Sequence, residues 1–247
     1  MVRSLLVRGM LVGLLAGLLA FAFALIFGEP QVQHAIDFEY QLARLHHDPP
    51  EVELVSRGVQ RTWGLLTGTV VMSVALGGIF SLVFAWAYGR IGALGPRLTA
   101  AVLALGAYLT ITLVPFTKYP ANPPTIGNPA TIDRRTILFF AMIATSILAL
   151  VAAARIRRGL LARLGGWNAA IVAGAAFVAV IAVAELMLPA VHETPHGFSA
   201  DVLWRFRIAS LGINATIWTT LGLGFGAAAE RLLTARSPER AAASAVA

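Results

Sequence analysis

No cysteine occurs in this chain, so disulfides, thiolate metal sites and a cysteine nucleophile are excluded. Lysine is nearly absent too. Lys118 is the only one, and it stands between Thr117 and Tyr119 rather than in a Gly-Lys-Ser/Thr sequence. A phosphate-binding P-loop is therefore impossible, and with it nucleotide hydrolysis of the usual kind. The five methionines are scattered, against a soft copper(I) path. Charge is scarce, at 13% of residues, whereas 58% are hydrophobic and the mean hydropathy is +0.77. That is more apolar surface than one soluble core of 247 residues buries.

Apolar residues are what the chain has, and they come in long runs. A hydrocarbon layer about 30 Å thick takes about 20 helical residues to cross. Six runs reach that length, over approximately 5–27, 63–88, 98–116, 136–154, 167–189 and 208–229. Barrel strands would be shorter and would alternate polar with apolar residues. The expectation is an all-α polytopic membrane protein with six transmembrane helices arranged as three outward-facing hairpins. It forms a single transmembrane domain over 1–233, followed by a disordered tail over 234–247. The lipid bilayer is its first partner.

The net charge of +7 does not point to nucleic acid, because the arginines gather at the ends of apolar runs. Arg3, Arg8, Arg90, Arg97, Arg155, Arg157, Arg158, Arg163, Arg231, Arg236 and Arg240 fall on one side, with only Glu230 and Glu239. All five histidines and most acids fall on the other. By the positive-inside rule, both termini are cytoplasmic. Ala22-Phe23-Ala24 fits a signal cleavage pattern, but the apolar run continues through Phe27, longer than a signal h-region, so the first helix is read as retained.

Five of the twelve prolines crowd the stretch from Pro115 to Pro129, which also holds Lys118 and Asn122. Proline fixes φ, removes a donor and disfavours a helical residue before it. Pro115 and Pro120 are expected to end a helix, and this segment to form the turn of a central hairpin. Pro30 and Pro189 stand at the ends of two further runs in the same way. Gly9, Gly13 and Gly17 recur at four-residue spacing, giving a flat face for a neighbouring helix.

Chemistry is concentrated on the outer side. His192, Glu193 and His196 place two imidazoles and a carboxylate within five residues, a set able to hold a borderline divalent ion. The letters match the zincin His-Glu-x-x-His motif, but Pro195 and Gly197 disfavour the continuous helix that motif needs. Glu29, His34, Asp37, His46 and His47 belong to the first outer loop and could add ligands, although an outer loop needs soluble polar residues in any case. Glu185 is the only acid inside an apolar run; a transport role and a structural ion pair with Arg205 or Arg207 are both open. Asn214, deep in the last run, is a pore candidate, and Pro115 and Pro189 are candidate gate positions.

Gly28-Glu29-Pro30, Val55-Ser56-Arg57-Gly58-Val59-Gln60, the Val114 to Pro124 stretch and Leu203-Trp204-Arg205-Phe206-Arg207 with Ala209-Ser210-Leu211-Gly212 resemble the predicted cobalt transporter subunit family CbtA. The resemblance runs from Leu5 to about Leu233. It implies a bacterial inner-membrane protein that takes up Co²⁺ for cobalamin synthesis, with no permanently bound cofactor. It also implies a small, one-helix, histidine-bearing partner, CbtB. An amide is the more frequent residue at the position of His192, which shifts the expected common outer set to Glu29, Lys118, Asn122, Glu193, Arg205 and Arg207. The resemblance implies no catalytic residues. A membrane enzyme acting at the outer face and a non-transporting scaffold subunit are the alternative readings.

Overall fold

The computed structural model describes residues 1–47, 54–191 and 193–235. Among them the chain is helical without a strand, and five helices are long and apolar enough to cross a membrane: α1 (Val2–His46), α2 (Arg57–Ala87), α3 (Pro96–Lys118), α4 (Pro129–Met187) and α5 (Ala200–Ala235). Large apolar side chains face outward along all of them, including Trp63, Trp86, Leu105, Leu148, Trp167 and Leu223. Such a surface suits a hydrocarbon solvent, where the backbone must satisfy its own hydrogen bonds.

Two prolines behave differently from the expectation. Helix α1 does not stop at Pro30, nor α3 at Pro115. In each, a π-helical turn ends two residues before the proline, at Ala24–Gly28 in α1 and at Tyr108–Leu113 in α3. Proline clashes with the carbonyl four residues back, and a wider turn moves that carbonyl away, so the helix continues. Pro120 and Pro189 do act as stops: α3 ends at Lys118 and α4 at Met187. Two more π turns, Gln60–Gly64 and Leu221–Phe225, lie in α2 and α5.

The fourth and fifth apolar runs also differ. They lie in one helical run, α4, whose 59 residues would span about 88 Å at 1.5 Å each. The break is at Gly165, whose φ of 72° and ψ of 171° are not helical. The arginines expected at the end of the fourth run, Arg155, Arg157, Arg158 and Arg163, are helical and exposed, and the helical run continues past them. The last helix begins at Ala200, earlier than its apolar run, and continues to Ala235. Residues 236–247, the rest of the expected tail, lie outside the described residues, as do Asp48 to Glu53 and His192.

Packing follows the small residues. A Cβ on Gly9 would lie 2.4 Å from the Gly77 carbonyl oxygen, and one on Gly13 2.4 Å from that of Ser73. The glycine face of α1 is thus the seat of α2, with backbones close enough that no larger side chain fits. Gly222 on α5 receives the Ala104 side chain of α3, whose Cβ would lie 2.8 Å from one added at Gly222. Around these contacts Leu5, Phe80, Phe84, Trp218, Leu221 and Phe225 form one core. A second, smaller core joins α3 to both halves of α4 through Val114, Met142, Ala149 and Ile181.

Candidate functional site

The proline-rich segment is where α3, α4 and α5 meet. Three consecutive side chains at and just past the end of α3 grip the end of α4 and the residues that follow it. The Thr117 hydroxyl donates to the Glu185 carboxylate at 2.5 Å, with the Val114 carbonyl 2.6 Å away as its alternative acceptor. The Lys118 ammonium donates to the Glu185 backbone carbonyl at 2.6 Å, and the Tyr119 hydroxyl to the Pro189 carbonyl at 2.9 Å. The second contact has a clear origin in the sequence. Pro189 stands four residues after Glu185 and has no N–H, so the Glu185 carbonyl lacks its helical donor. Lys118 supplies one from the neighbouring helix.

Glu185 therefore meets neither of its expected arginines. Arg205 pairs with Asp201 one turn back on its own helix, at 2.9 Å. Arg207 reaches into the proline-rich segment, where Nε donates to the Ala121 carbonyl at 3.3 Å and the terminal amino group to Asn122 Oδ1 at 3.0 Å. The partners differ because the end of α3 is inserted between α4 and α5. Asn214 donates to the Ser210 carbonyl at 3.0 Å, a local bond within α5.

From Pro123 the chain turns toward α4. Thr125 adopts a φ of +72°, uncommon for a β-branched residue, within a turn closed by the Ile126 N–H on the Pro123 carbonyl at 3.2 Å. Glu193 then fastens the following loop to this segment. Its carboxylate accepts from the Thr131 hydroxyl at 2.6 Å and from the Asn128 N–H at 3.1 Å, with Arg135 Nε 3.4 Å away. The Thr131 hydrogen bond chiefly, with the Asn128 N–H and the nearby arginines, holds the Glu193 carboxyl below the usual carboxylate range against a smaller opposing effect of burial. Partial burial raises the Tyr119 hydroxyl, offset in part by Arg134.

Beyond the π turn of α1, Glu29 forms an ion pair with Arg57. Arg57 Nε also donates to Gln33 at 3.3 Å, and Gln33 in turn to Asp37 at 2.9 Å. This network ties the part of α1 beyond its π turn to the start of α2. His34, His46, His47 and His196 are exposed. Among the described residues no three of the His, Asp and Glu side chains are grouped so as to hold one metal ion. Thr117 and Tyr119 were not singled out from the sequence. Their signal was a threonine and a tyrosine flanking the only lysine, one turn from Pro115.

A protein-family model described as "Probable cobalt transporter subunit (CbtA)" matches residues 2–230. No curated protein and no solved structure matches the chain. Nearly the full length is covered, and five helices have the length and composition of membrane spans. The chain is a multi-pass membrane protein that belongs to the CbtA family of probable cobalt transporter subunits.

Proposed function

We propose that this chain is the ion-conducting subunit of a Co²⁺ uptake system and that the grip of α3 on Glu185 is its outer gate. The observation that carries the reading is the contact between Lys118 and the Glu185 carbonyl. At the proline-ended helix, a backbone carbonyl, the carboxylate of the same residue and the Thr117 hydroxyl present oxygen donors to one another's neighbourhood, and a tethered ammonium occupies the carbonyl. Freed backbone carbonyls at interrupted helices are a means by which transporters meet cations. Lys118 acts as a placeholder that an entering divalent ion displaces, and its return closes the gate. Binding by a few oxygens is weak, which suits an ion that must leave again.

In this reading α4 crosses twice with its turn at Gly165, giving six spans with both termini cytoplasmic. The outer loops, with Glu29, Asp37, Glu193 and the histidines, gather cations near the gate, and Arg207 and Asn122 hold the segment between α3 and α5. Membrane potential supplies the drive, about 2.3 kcal/mol per charge per 100 mV. The small CbtB-like subunit is its partner in a bacterial inner membrane.

Radioactive cobalt uptake into cells lacking other importers tests the reading. The native chain, alone and with the partner, is compared with Glu185→Gln and Lys118→Met at equal membrane expression. Uptake abolished by Glu185→Gln, and a cobalt leak that outlasts depolarisation in Lys118→Met, are the expected results. No uptake by the native chain with its partner would sink the permease reading in favour of a scaffold.

A further inference from the structure

A groove of about 390 Å³ lies between α1 and α5, lined by none of the residues of the grip on Glu185. Its apolar walls are Phe23 and Phe27, whose rings pack 4.6 Å apart, and Ile208. Its other end is polar: Gln31, Trp204 and Arg205 line it there. Phe27 and Trp204 are exposed, so the groove opens sideways, into the space that lipid occupies around a membrane protein. A Trp beside an Arg at the end of an apolar span marks the headgroup level. The groove therefore runs from headgroup depth into the hydrocarbon, with polarity changing in the same direction as in a phospholipid.

Charge at the polar end is paired. Arg205 gives Nε to Asp201, and among the described residues its terminal amino groups have no acceptor, which leaves them to meet a ligand. Both side chains are about two-thirds exposed, 65% and 68%. One helical turn thus presents a guanidinium and, next to it, a carboxylate. A free anion or an anionic headgroup would meet Asp201 unfavourably. A zwitterion would not: its phosphate would accept from Arg205 while a primary ammonium donates to Asp201.

We infer that the groove between Phe23, Phe27 and Ile208 is a site for a zwitterionic phospholipid with a primary ammonium headgroup, read by Arg205 and Asp201. A quaternary ammonium carries the same charge but has no proton to give Asp201, so phosphatidylcholine is the weaker ligand.

The depth of the groove depends on Gly212. A Cβ there would lie 2.4 Å from the far edge of the Phe23 ring, so Gly212→Ala forces that wall to move while leaving the headgroup residues in place. The test uses the full chain, purified in detergent and titrated with phosphatidylethanolamine, phosphatidylcholine or phosphatidylglycerol, with bound lipid counted by native mass spectrometry. One phosphatidylethanolamine per chain is expected, held roughly fivefold more tightly than phosphatidylcholine, with that preference lost in Asp201→Asn. Arg205→Gln weakens both, and Gly212→Ala lowers occupancy of all three lipids. Equal retention of the three lipids by the native chain, or unchanged retention by Arg205→Gln, would mean only bulk boundary lipid and would overturn the assignment. So would preferential retention of phosphatidylglycerol. Thermal unfolding of each variant without lipid identifies any that fail to fold. For those, Asp201→Asn alone decides the headgroup question.

Discussion

The Lys118 ammonium lies 2.6 Å from the carbonyl oxygen of Glu185, the acceptor that Pro189 has no N–H to fill. A defect in one helix is thus completed by a cation from another. Lys118→Met leaves that carbonyl unpaired and is expected to destabilise the chain by about 1–3 kcal/mol. Pro189→Ala lets α4 continue through Leu188, now extended at ψ 140°, so that position 189 supplies the donor and Lys118 becomes dispensable. A double-mutant cycle on thermal unfolding should therefore show strong coupling between 118 and 189. Additive losses would disprove the relationship.

Glu193 predicts a pH dependence of the loop between α4 and α5. Its carboxyl is held below the usual range in the folded chain, so the unfolded state takes up its proton first as pH falls. The stabilisation is in full force above the unfolded value of about 4.3 and is lost as pH drops through the lowered folded value. Protection of the Asn128 N–H, its exchange rate relative to the intrinsic one, should be high at neutral pH and fall only in acid, because that N–H donates to Glu193. In Glu193→Gln, exchange at Asn128 should vary with pH only as the intrinsic rate does.

At Thr125 the prediction is a gain. A β-branched residue at a φ of +72° is strained, and glycine is not. Thr125→Gly should raise stability by about 1 kcal/mol, read as a higher unfolding temperature, without altering the contact of Arg207 with Asn122.

Gly77 allows no such freedom. A Cβ there would lie 2.2 Å from the Gly9 carbonyl oxygen and 3.0 Å from the Gly13 Cα, backbone atoms that cannot swing aside. Gly77→Val should cost about 3 kcal/mol or more and separate α1 from α2. Cysteine pairs introduced at exposed positions of the two helices would report the separation as lost crosslinking.

The contrast between these residues explains what was legible in the sequence. The four-residue glycine spacing in α1 names a flat face directly, and that face is where α2 sits. Pro120 and Pro189 end helices as local rules require. Pro30 and Pro115 do not, because a π turn upstream absorbs each, and no residue type encodes such a turn. Gly165 was one of 23 glycines, and only the backbone singles it out as the break in α4. The partners of Glu185 were illegible for a different reason. An arginine is the expected companion of a lone membrane acid, but which side chain arrives depends on which helix end lies between the others. That is a matter of packing at long sequence separation.

The π turn at Tyr108–Leu113 carries one more residue than an α-turn over the same rise. In effect α3 contains an uncounted residue, and everything beyond it is turned by about 100° about the helix axis relative to a chain without it. The azimuth of Thr117, Lys118 and Tyr119 is therefore a property of chain length upstream. Removing any single residue between Tyr108 and Leu113 would leave every side chain of the grip intact in composition yet aim all three away from α4.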